Sequence, residues 1–337
     1  MKRNDTMLRE LEAELFKKTK INKCYPKHCG LLTLEALFTT DSVYLAAQRC
    51  AAGFRNKRDT QKFLASPWLN SKNLAESVLG GDFTPKYYSV RIITERGKAR
   101  KIKPPTFECK IVQKVICDYL IRPLLEHHMI HSNYASIKGK GTDLCYKDIL
   151  KAVNKTCRTN KDAVIVLTDF TQYFASIDID ILCDMLRLYI KDERLISLIR
   201  LFSPEELSLG NELSQVPASF FPSKIDHWAK DRMGLPYFRY MDDSLCITES
   251  LAQAENYISS VKQIASDLRL EIKEEKIQLI TIGTPFVFCK ERFLFGDSYY
   301  RIQNPEIARN EKRKIKGMHK KKVPLEKVEH QFDTPHS

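Results

Sequence analysis

The sequence predicts an α+β fold in which an antiparallel sheet carries helices on one face. A continuous run of apolar and β-branched residues at 164–168 is typical of a central strand. The segment 237–247 has apolar and aromatic residues around two adjacent acids, Asp242 and Asp243, which is the pattern of a hairpin with its acids at the turn. The predicted order strand, helix, helix, hairpin, helix, strand indicates one compact sheet.

The first part of the chain is predicted to be helical, with one β-ribbon inserted in it. From capping residues and the spacing of apolar positions, helices are expected at 8–16, 41–52, 74–79 and 107–126. The ribbon is expected to have strands at 87–93 and 99–103, joined by a turn at 95–98.

Beyond the central strand, the sequence predicts three helical segments, the hairpin and a last strand. The helices are expected at 179–190, 214–232 and 250–269, and the strand at 270–281. Pro217 and Pro222 fall inside the second of these helices. A proline in a helix interior costs about 3 kcal/mol, so we expect a kink or a delayed start there.

The charge balance indicates a polyanionic partner. The net charge is +13 over 337 residues, and basic residues are concentrated in two segments on either side of the acid pair. Segment 91–103 has six Lys and Arg against Glu95, and segment 290–322 has eleven Lys and Arg against four Asp and Glu. Together they fit a nucleic-acid channel, with a solvated helix face as the alternative for 290–322.

Composition also restricts the cellular setting. No run approaches the roughly 20 apolar residues of a membrane span, and the N-terminus lacks the apolar core of a signal peptide. We therefore expect a cytoplasmic protein without membrane contact. Ten cysteines follow no regular framework, which favours reduced thiols. Cys24, His28 and Cys29 are spaced closely enough to bind zinc, with ordinary free cysteines as the alternative.

The acid pair is the strongest functional signal. Adjacent carboxylates in an apolar hairpin are costly unless a cation neutralises them. Two Mg²⁺ ions would do so, because magnesium prefers carboxylate and phosphate oxygens. Two such ions need a third carboxylate, and Asp169, directly after the central strand, is the candidate. An exposed acidic turn is the alternative for Asp242 and Asp243, and a helix cap is the alternative for Asp169.

These residues resemble the motifs of reverse transcriptases. The segment from Asp169 to Phe174 is similar to the family's first catalytic motif, and Tyr240-Met241-Asp242-Asp243 is similar to its Tyr-x-Asp-Asp box. The resemblance implies RNA-directed DNA synthesis by a right-hand polymerase. Its expected parts are an N-terminal helical extension (1–40), fingers (41–160), a palm (161–285), and a primer grip with a short basic thumb (286–337).

The resemblance also implies a role for each matching residue. The implied ligands of two Mg²⁺ ions, with Mn²⁺ as an alternative, are Asp169, Asp242 and Asp243, and Lys276 would protonate the pyrophosphate. The implied nucleotide-binding residues are Lys98, Arg100, Lys101, Phe170, Gln215, Tyr240 and Phe174, the last of which would exclude a ribose 2′-hydroxyl. The implied template and primer residues are Gly139, Gly141, Gly210, Lys290 and Arg292. The implied partners are an RNA template, a DNA or RNA primer duplex and dNTPs.

One segment departs from the commoner family pattern. Gly210 followed by Ser214 and Gln215 is similar to the corresponding segment of diversity-generating retroelement, abortive-infection and phage-defence reverse transcriptases of bacteria. We therefore expect an accessory system of a bacterium or phage, with an accessory protein subunit as a further candidate partner. The alternatives are template-independent or protein-primed DNA synthesis, a non-catalytic RNA-binding module, and RNA-directed RNA synthesis, against which Phe174 argues.

Overall fold

The structure, a computed structural model, describes residues 32–95, 98–204, 207 and 211–295. Several predicted features lie outside these residues, namely the helix at 8–16, the group of Cys24, His28 and Cys29, Gly210, and the basic thumb and tail. Within the described ranges, no helix is both long enough and apolar enough to cross a membrane.

Between residue 32 and the ribbon, four short helices share one core. They are α1 (Leu34–Leu37), α2 (Thr40–Ala51), α3 (Arg58–Leu64) and α4 (Pro67–Leu79). At the start of α2, the side chains of Thr39 and Ser42 each accept from the other's backbone N–H, which forms a capping box. Pro67 opens α4, where its missing N–H is not needed. The helices predicted at 41–52 and 74–79 are confirmed, although α4 starts earlier.

The ribbon is an antiparallel pair of strands, as predicted. β1 (Arg91–Glu95) pairs with β2 (Lys98–Ile102) along its full length. The strand expected at 87–93 begins later than predicted, because Tyr87 makes no more than an isolated bridge to Pro105. Proline has no N–H with which to continue a ladder, so the pairing stops there.

A long helical stretch follows the ribbon, where a helix was predicted at 107–126. α5 (Phe107–Ile116) and α6 (Arg122–His128) are joined by a π turn at Cys117–Ile121. Pro123 lacks the N–H that would otherwise bond to the carbonyl of Tyr119, and the wider turn lies directly before it.

A four-stranded antiparallel sheet forms the centre of the molecule. In spatial order its strands are β4 (Tyr237–Tyr240), β5 (Asp243–Thr248), β3 (Val164–Asp169) and β6 (Gln278–Thr281). β3 is buried along almost all of its length, as expected of a central strand. The central strand, the hairpin and the α+β class are therefore confirmed.

Different elements cover the two faces of this sheet. The remaining elements are α7 (Thr142–Thr159), α8 (Tyr173–Ser176), α9 (Ile179–Arg187), α10 (Glu193–Leu201), α11 (Glu212–Phe220), α12 (Ser223–His227), a π turn (Trp228–Arg232), α13 (Leu251–Asp267), a 3₁₀ turn (Glu274–Lys276), β7 (Thr284–Phe288) and β8 (Glu291–Phe295). Val164 and Val166 face the larger core, which contains α9 to α13. Ile165 and Leu167 face a second core with α7 and the β7–β8 hairpin, so the second face is also covered.

The strand expected at 270–281 is much shorter than predicted. The part of this segment that pairs with β3 is Gln278–Thr281. Before it, the carbonyl of Glu271 accepts from the N–H of Thr171 at 3.0 Å, and Glu274–Lys276 then turns as a 3₁₀ helix. The backbone is thus tied to the segment that follows β3 before it reaches the sheet.

The two prolines act differently from one another. α11 begins at Glu212 and contains Pro217, so a delayed start is not what the structure shows. The helix ends instead at Phe220, two residues before Pro222, which has no N–H to offer the carbonyl of Ala218. The predicted kink is therefore a break between α11 and α12.

Candidate active site

The two adjacent acids lie at the tip of the β4–β5 hairpin. Tyr240 and Asp243 are paired across the strands, so Met241 and Asp242 form the whole turn. Met241 has a φ of +57°, a left-handed conformation that is uncommon for residues other than glycine. The turn at 240–243, which we call the acidic turn, therefore has a strained backbone that its surroundings must support.

Asp169 lies beside the acidic turn. The β3–β5 register places it directly opposite Asp243, and the next pair, Thr168 and Ser244, shares a buried hydroxyl–hydroxyl hydrogen bond of 2.5 Å. Residues directly opposite each other in an antiparallel pair have Cβ atoms about 5 Å apart. Carboxylates from two distant parts of the sequence thus meet at one end of the sheet.

The environment of Asp243 opposes the ionisation of its carboxyl group. Burial, followed by the charges of Asp242 and Asp169, raises the pKa of Asp243 to about 7, and Lys276 acts against this shift. The Nζ of Lys276 lies 2.5 Å from Oδ2 of Asp169, and this hydrogen bond raises the pKa of the lysine. One ammonium group faces three acids, so negative charge is in excess at the site.

The donor set is chemically suited to a divalent cation. In the part of the chain that the structure describes, no group of three or more His, Cys, Asp and Glu side chains is already arranged to hold a metal ion. The carboxylate of Asp169 is instead bonded to Lys276. Carboxylate oxygens are the ligands that Mg²⁺ and Mn²⁺ prefer. A bound cation would relieve the repulsion that raises the pKa of Asp243.

The segment after β3 packs three aromatic rings together. Gln172 has a left-handed backbone with a φ of +46°, and α8 follows it. Phe170 is buried and stacks on Tyr173 with 5.4 Å between ring centroids, whereas the half-buried Phe174 meets Tyr173 edge-on at 5.8 Å. The hydroxyl of Tyr173 donates to the carbonyl of Ala218 on α11. The core thus holds one side of the Phe174 ring.

The other residues predicted to bind the nucleotide are dispersed over three elements. Gln215 is exposed on α11, and Tyr240 is half-buried at the end of β4. Lys98, Arg100 and Lys101 lie on β2, which belongs to a separate two-stranded sheet. Strand pairing therefore does not connect these three cations to the carboxylates.

The glycine-containing loop before α7 runs along the outer side of β4. Asn133 forms a parallel bridge with Arg239, and the N–H of Tyr134 donates to the Arg239 carbonyl at 3.0 Å. Gly139 has a φ of +80°, which other residues adopt with strain, and Gly141 directly precedes α7. The loop thus approaches the sheet on the strand that leads into the acidic turn.

Lys290 and Arg292 lie on the β7–β8 hairpin. Both side chains are exposed, and Lys290 sits in the turn with a φ of +75°. The hydroxyl of Tyr146 donates to the carbonyl of Cys289 at 2.7 Å, which ties the turn to α7. The hairpin thus presents basic residues at the surface beside the second core.

One buried pair behind the acidic turn was missed by sequence reasoning. The side chains of Arg239 and Asp226 are fully buried and form an ion pair of 2.6 Å. The available signal was an arginine inside the otherwise apolar strand β4. A charged residue is rarely found in such a place unless it is paired.

A basic cleft opens at the base of the ribbon, far along the chain from the carboxylates. Its volume is about 480 Å³, and it is lined by Lys57, Arg58, Asp59, Lys62, Tyr88, Arg91 and Pro104. Asp59 already accepts hydrogen bonds from the Tyr88 hydroxyl and from the N–H of Phe107. With four cations and one engaged acid, the basic cleft carries net positive charge.

The chain is similar in sequence to one known protein family. The model of the family described as reverse transcriptase (RNA-dependent DNA polymerase) matches residues 85–321. No curated protein matches the chain.

Solved structures with a similar chain trace include two telomerases. The telomerase of Candida albicans, in complex with a fragment of telomeric RNA, is 10% identical with a TM-score of 0.48, over 71% of this chain and 50% of that chain. The apo telomerase of Candida tropicalis is 11% identical with a TM-score of 0.48, over 69% of this chain and 52% of that chain. This chain thus spans about half the length of either telomerase chain.

Proposed function

The chain belongs to the reverse transcriptase family, and on that basis we propose that Asp169, Asp242 and Asp243 are the catalytic carboxylates of an RNA-directed DNA polymerase. The observation that carries this proposal is the pairing of Asp169 with Asp243 across β3 and β5, with Asp242 in the adjoining turn. Nucleotidyl transfer needs several oxygen ligands at one point, and this proposal is supported by the charges of Asp242 and Asp169, which both act on Asp243.

The proposed cofactors are two Mg²⁺ ions, for which Mn²⁺ can substitute. When bound, they would lower the pKa of the primer 3′-hydroxyl and neutralise the triphosphate and the departing pyrophosphate. Asp243 has the clearest need for such a partner, because burial and two neighbouring acids raise its pKa to about 7. Asp169 and Asp242 would complete the ligand set from the two sides of Asp243.

Lys276 is the proposed general acid. Its ammonium is paired with Asp169, and the lysine side chain is about half-exposed. Once Asp169 has another cationic partner, the ammonium can donate a proton to an oxygen of the leaving pyrophosphate. Proton donation by a positioned side chain contributes typically about 10²- to 10⁴-fold to a rate.

The aromatic segment is the proposed selector for deoxyribose. Phe174 is held on one side by Tyr173 and by the larger core, so its ring cannot retreat from an added 2′-hydroxyl. Phe170, Gln215 and Tyr240 are proposed to complete the nucleotide pocket. The triphosphate contacts are proposed to come from Lys98, Arg100 and Lys101 of the ribbon.

The nucleic acid is proposed to contact the fingers, the palm and the thumb. Fingers at 41–160 and a palm at 161–285 would hold the RNA template, with Gly139, Gly141 and Gly210 allowing close approach of the backbone. Lys290 and Arg292 would contact the primer duplex, and the basic thumb in 286–337 would add phosphate contacts. Such contacts supply affinity without reading sequence.

The biological setting is proposed to be a bacterial or phage accessory system. The support is the segment from Gly210 to Gln215, which resembles diversity-generating, abortive-infection and phage-defence reverse transcriptases. An accessory protein subunit and a cytoplasmic location belong to the same proposal. A variable-repeat target gene beside the coding sequence would favour the diversity-generating role over defence.

The test is a primer-extension assay on the purified full chain. A defined RNA template with a DNA primer is supplied with Mg²⁺ and either dNTPs or rNTPs, and a parallel reaction omits the template. The wild type should extend the primer with dNTPs along the template. Asp242→Asn should abolish extension, and the matched control Asp162→Asn, an exposed acid before β3, should not change it.

Each alternative function has a distinct outcome in this assay. Incorporation without template would replace the proposal with template-independent or protein-primed synthesis. RNA binding without incorporation, in wild type and Asp242→Asn alike, would indicate a non-catalytic module. A preference for rNTPs would indicate an RNA polymerase.

A further inference from the structure

A fully buried guanidinium lies directly behind the acidic turn. We propose that Arg239 is a positioning residue that fixes the geometry of Asp242 and Asp243, and that Asp226 locks it in place. The proposal rests on the proposed function, because it assigns Arg239 a role in aiming the catalytic carboxylates. Neither Arg239 nor Asp226 belongs to the motifs by which the site is recognised.

The Arg239 side chain is fully buried, and its hydrogen bonds to described residues are all internal. Its Nε donates to Oδ1 of Asp226 at 2.7 Å, and Nη2 donates to Oδ2 of Asp226 at 2.6 Å. Nη2 also donates to the carbonyl of Ser219 at the end of α11. Nη1 donates to the carbonyl of Met241 at 3.0 Å. The hydroxyl of Tyr237 adds a 3.0 Å hydrogen bond to Oδ1 of Asp226, so the carboxylate is fixed as well.

The contact with Met241 is the one that bears on catalysis. Met241 is the turn residue with a φ of +57°, a conformation that must be supported from outside. Its carbonyl immediately precedes Asp242 in the backbone. A donor held rigidly against that carbonyl therefore sets the orientation of the peptide unit that carries Asp242.

Stability alone does not account for this pair. Replacing a buried ion pair by apolar residues of similar volume is often neutral or stabilising. A buried leucine and methionine would thus serve the core as well as Asp226 and Arg239. They would not supply a hydrogen-bond donor to the carbonyl of Met241, which the guanidinium of Arg239 does. Its planar fork can bond a carboxylate and two carbonyls at once, which a lysine ammonium on a flexible stem cannot reproduce.

The other end of this network reaches the aromatic segment. Pro222 has no N–H for the carbonyl of Ala218, which accepts instead from the hydroxyl of Tyr173. The adjacent carbonyl of Ser219 accepts from Arg239 and also from Nδ2 of Asn133 at 3.1 Å. The C-terminal end of α11 is thus bonded both to Arg239, which contacts the acidic turn, and to Tyr173, which lies beside Phe174.

The inference is tested with two variants that keep the core filled. Asp226→Leu/Arg239→Met removes the pair and the donor to Met241 without leaving a buried unpaired charge. Arg239→Lys keeps a cation for Asp226 but lacks the fork that also reaches Met241. The matched control is Glu193→Leu/Arg187→Met, which removes an exposed ion pair of 3.1 Å between α9 and α10.

Four quantities are measured for each protein: the melting temperature in EDTA, kcat, KM for dNTP, and the Mg²⁺ concentration that gives half-maximal activity. Residues that orient metal ligands typically contribute about 10- to 100-fold to metal affinity or activity. We expect kcat to fall and the Mg²⁺ midpoint to rise by factors in that range in both test variants. KM should stay within about twofold, because the change affects transition-state geometry and not ground-state binding.

The possible outcomes separate the two proposals. If Asp242→Asn is inactive and a folded test variant keeps the wild-type kcat and Mg²⁺ midpoint, Arg239 has no positioning role and the proposed function stands. If Asp242→Asn remains active, the proposed function itself fails. If the double variant does not fold, the kcat and the Mg²⁺ midpoint of Arg239→Lys decide whether Arg239 has a positioning role. An equal loss in the exposed-pair control would also overturn the inference.

Discussion

The acidic turn and the basic cleft use charge in opposite ways. Behind the acidic turn, Arg239 and Asp226 are fully buried and paired, and Asp169 is bonded to Lys276. In the basic cleft, the described lining of a cavity of about 480 Å³ has four cations and one acid, Asp59, which is already bonded to the protein. The charges near the acidic turn are paired with one another, whereas the cations of the basic cleft face an open cavity.

This difference indicates what each region contributes. Buried, mutually bonded charges have little freedom, so they define the positions of neighbouring atoms to a fraction of an ångström. Exposed cations attract phosphates over several ångströms and supply affinity that does not depend on the nucleotide sequence. Changes at the acidic turn should therefore alter the rate of a bound complex, whereas changes in the basic cleft should alter how tightly nucleic acid binds.

The largest effect is expected from Asp243→Asn, which should act in opposite directions on activity and stability. Asparagine keeps the shape but removes a carboxylate whose metal-linked stabilisation of several kcal/mol corresponds to about 10³-fold in rate. The same change removes a buried acid whose pKa is raised to about 7. At pH 8 in EDTA, the free energy of unfolding should rise by about 1–3 kcal/mol. Single-turnover extension and denaturant unfolding measure the two effects.

Asp162→Asn is again the control, because it makes the same change of charge at an exposed position before β3. It should change neither quantity. If Asp243→Asn lowered both activity and stability, Asp243 would be a structural group and the contrast with the basic cleft would lose its basis.

The parts of the site that were predictable are local. The acidic turn and its hairpin follow from turn position and alternation within eleven residues, 237–247, and the structure confirms both. Phe174 and Asp169 were found through one short motif. The proximity of Asp169 to Asp243 depends on the β3–β5 register, which no local pattern specifies. It was expected from resemblance to a family.

The parts that were missed are those fixed by tertiary contacts. Asp226 lies on a five-residue helix, and its local sequence is that of an ordinary surface acid. Its partner Arg239 reaches it only when the chain has folded. The segment at 270–277 has the alternation of a strand, but the carbonyl of Glu271 bonds to Thr171 instead of to the sheet. In both places a long-range hydrogen bond outweighs the local preference.

The second largest effect is expected from Phe174→Ala, which should reduce the preference for dNTPs over rNTPs. Removing the ring opens space where a 2′-hydroxyl would clash, and shape discrimination of this kind is worth about 10- to 100-fold. The ratio of kcat/KM for dATP and ATP on one RNA template measures it.

Phe54→Ala is the matched aromatic change near the basic cleft, where the ring is 39% exposed and carries the Lys57 ammonium at 4.7 Å. It should leave the sugar preference unchanged. An equal loss of preference in both variants would show that selection depends on the general position of the nucleic acid and not on Phe174.

A smaller effect is expected from pH on the protein in EDTA. The folded pKa of Asp243, about 7, is above the ordinary value of about 3.9, so between these values the folded state keeps a proton that the unfolded state releases. The stability gained is complete below about pH 4 and is lost as the pH rises through 7, with a slope of at most about 1.4 kcal/mol per pH unit.

The groups that face Asp243 are Asp169, Asp242 and Lys276, and they remain in Asp243→Asn. The difference in unfolding free energy between wild type and this variant, measured from pH 4 to 8, isolates the one carboxyl. Parallel curves for the two proteins would contradict the raised pKa.

The smallest effect is expected from Lys62→Ala in the basic cleft. Loss of one phosphate contact should weaken RNA binding a few-fold at low salt and reduce the slope of log K against log salt by about one. Lys72→Ala, on the exposed face of α4, removes a cation that already pairs with Glu76 at 3.8 Å and should change the slope less. Because Lys62 lines the basic cleft and makes no contact with the described residues of the acidic turn, single-turnover rates at saturating RNA should equal those of the wild type. A lower rate in the saturated Lys62→Ala complex would mean that the basic cleft also sets geometry, and the division of labour between the two regions would be wrong.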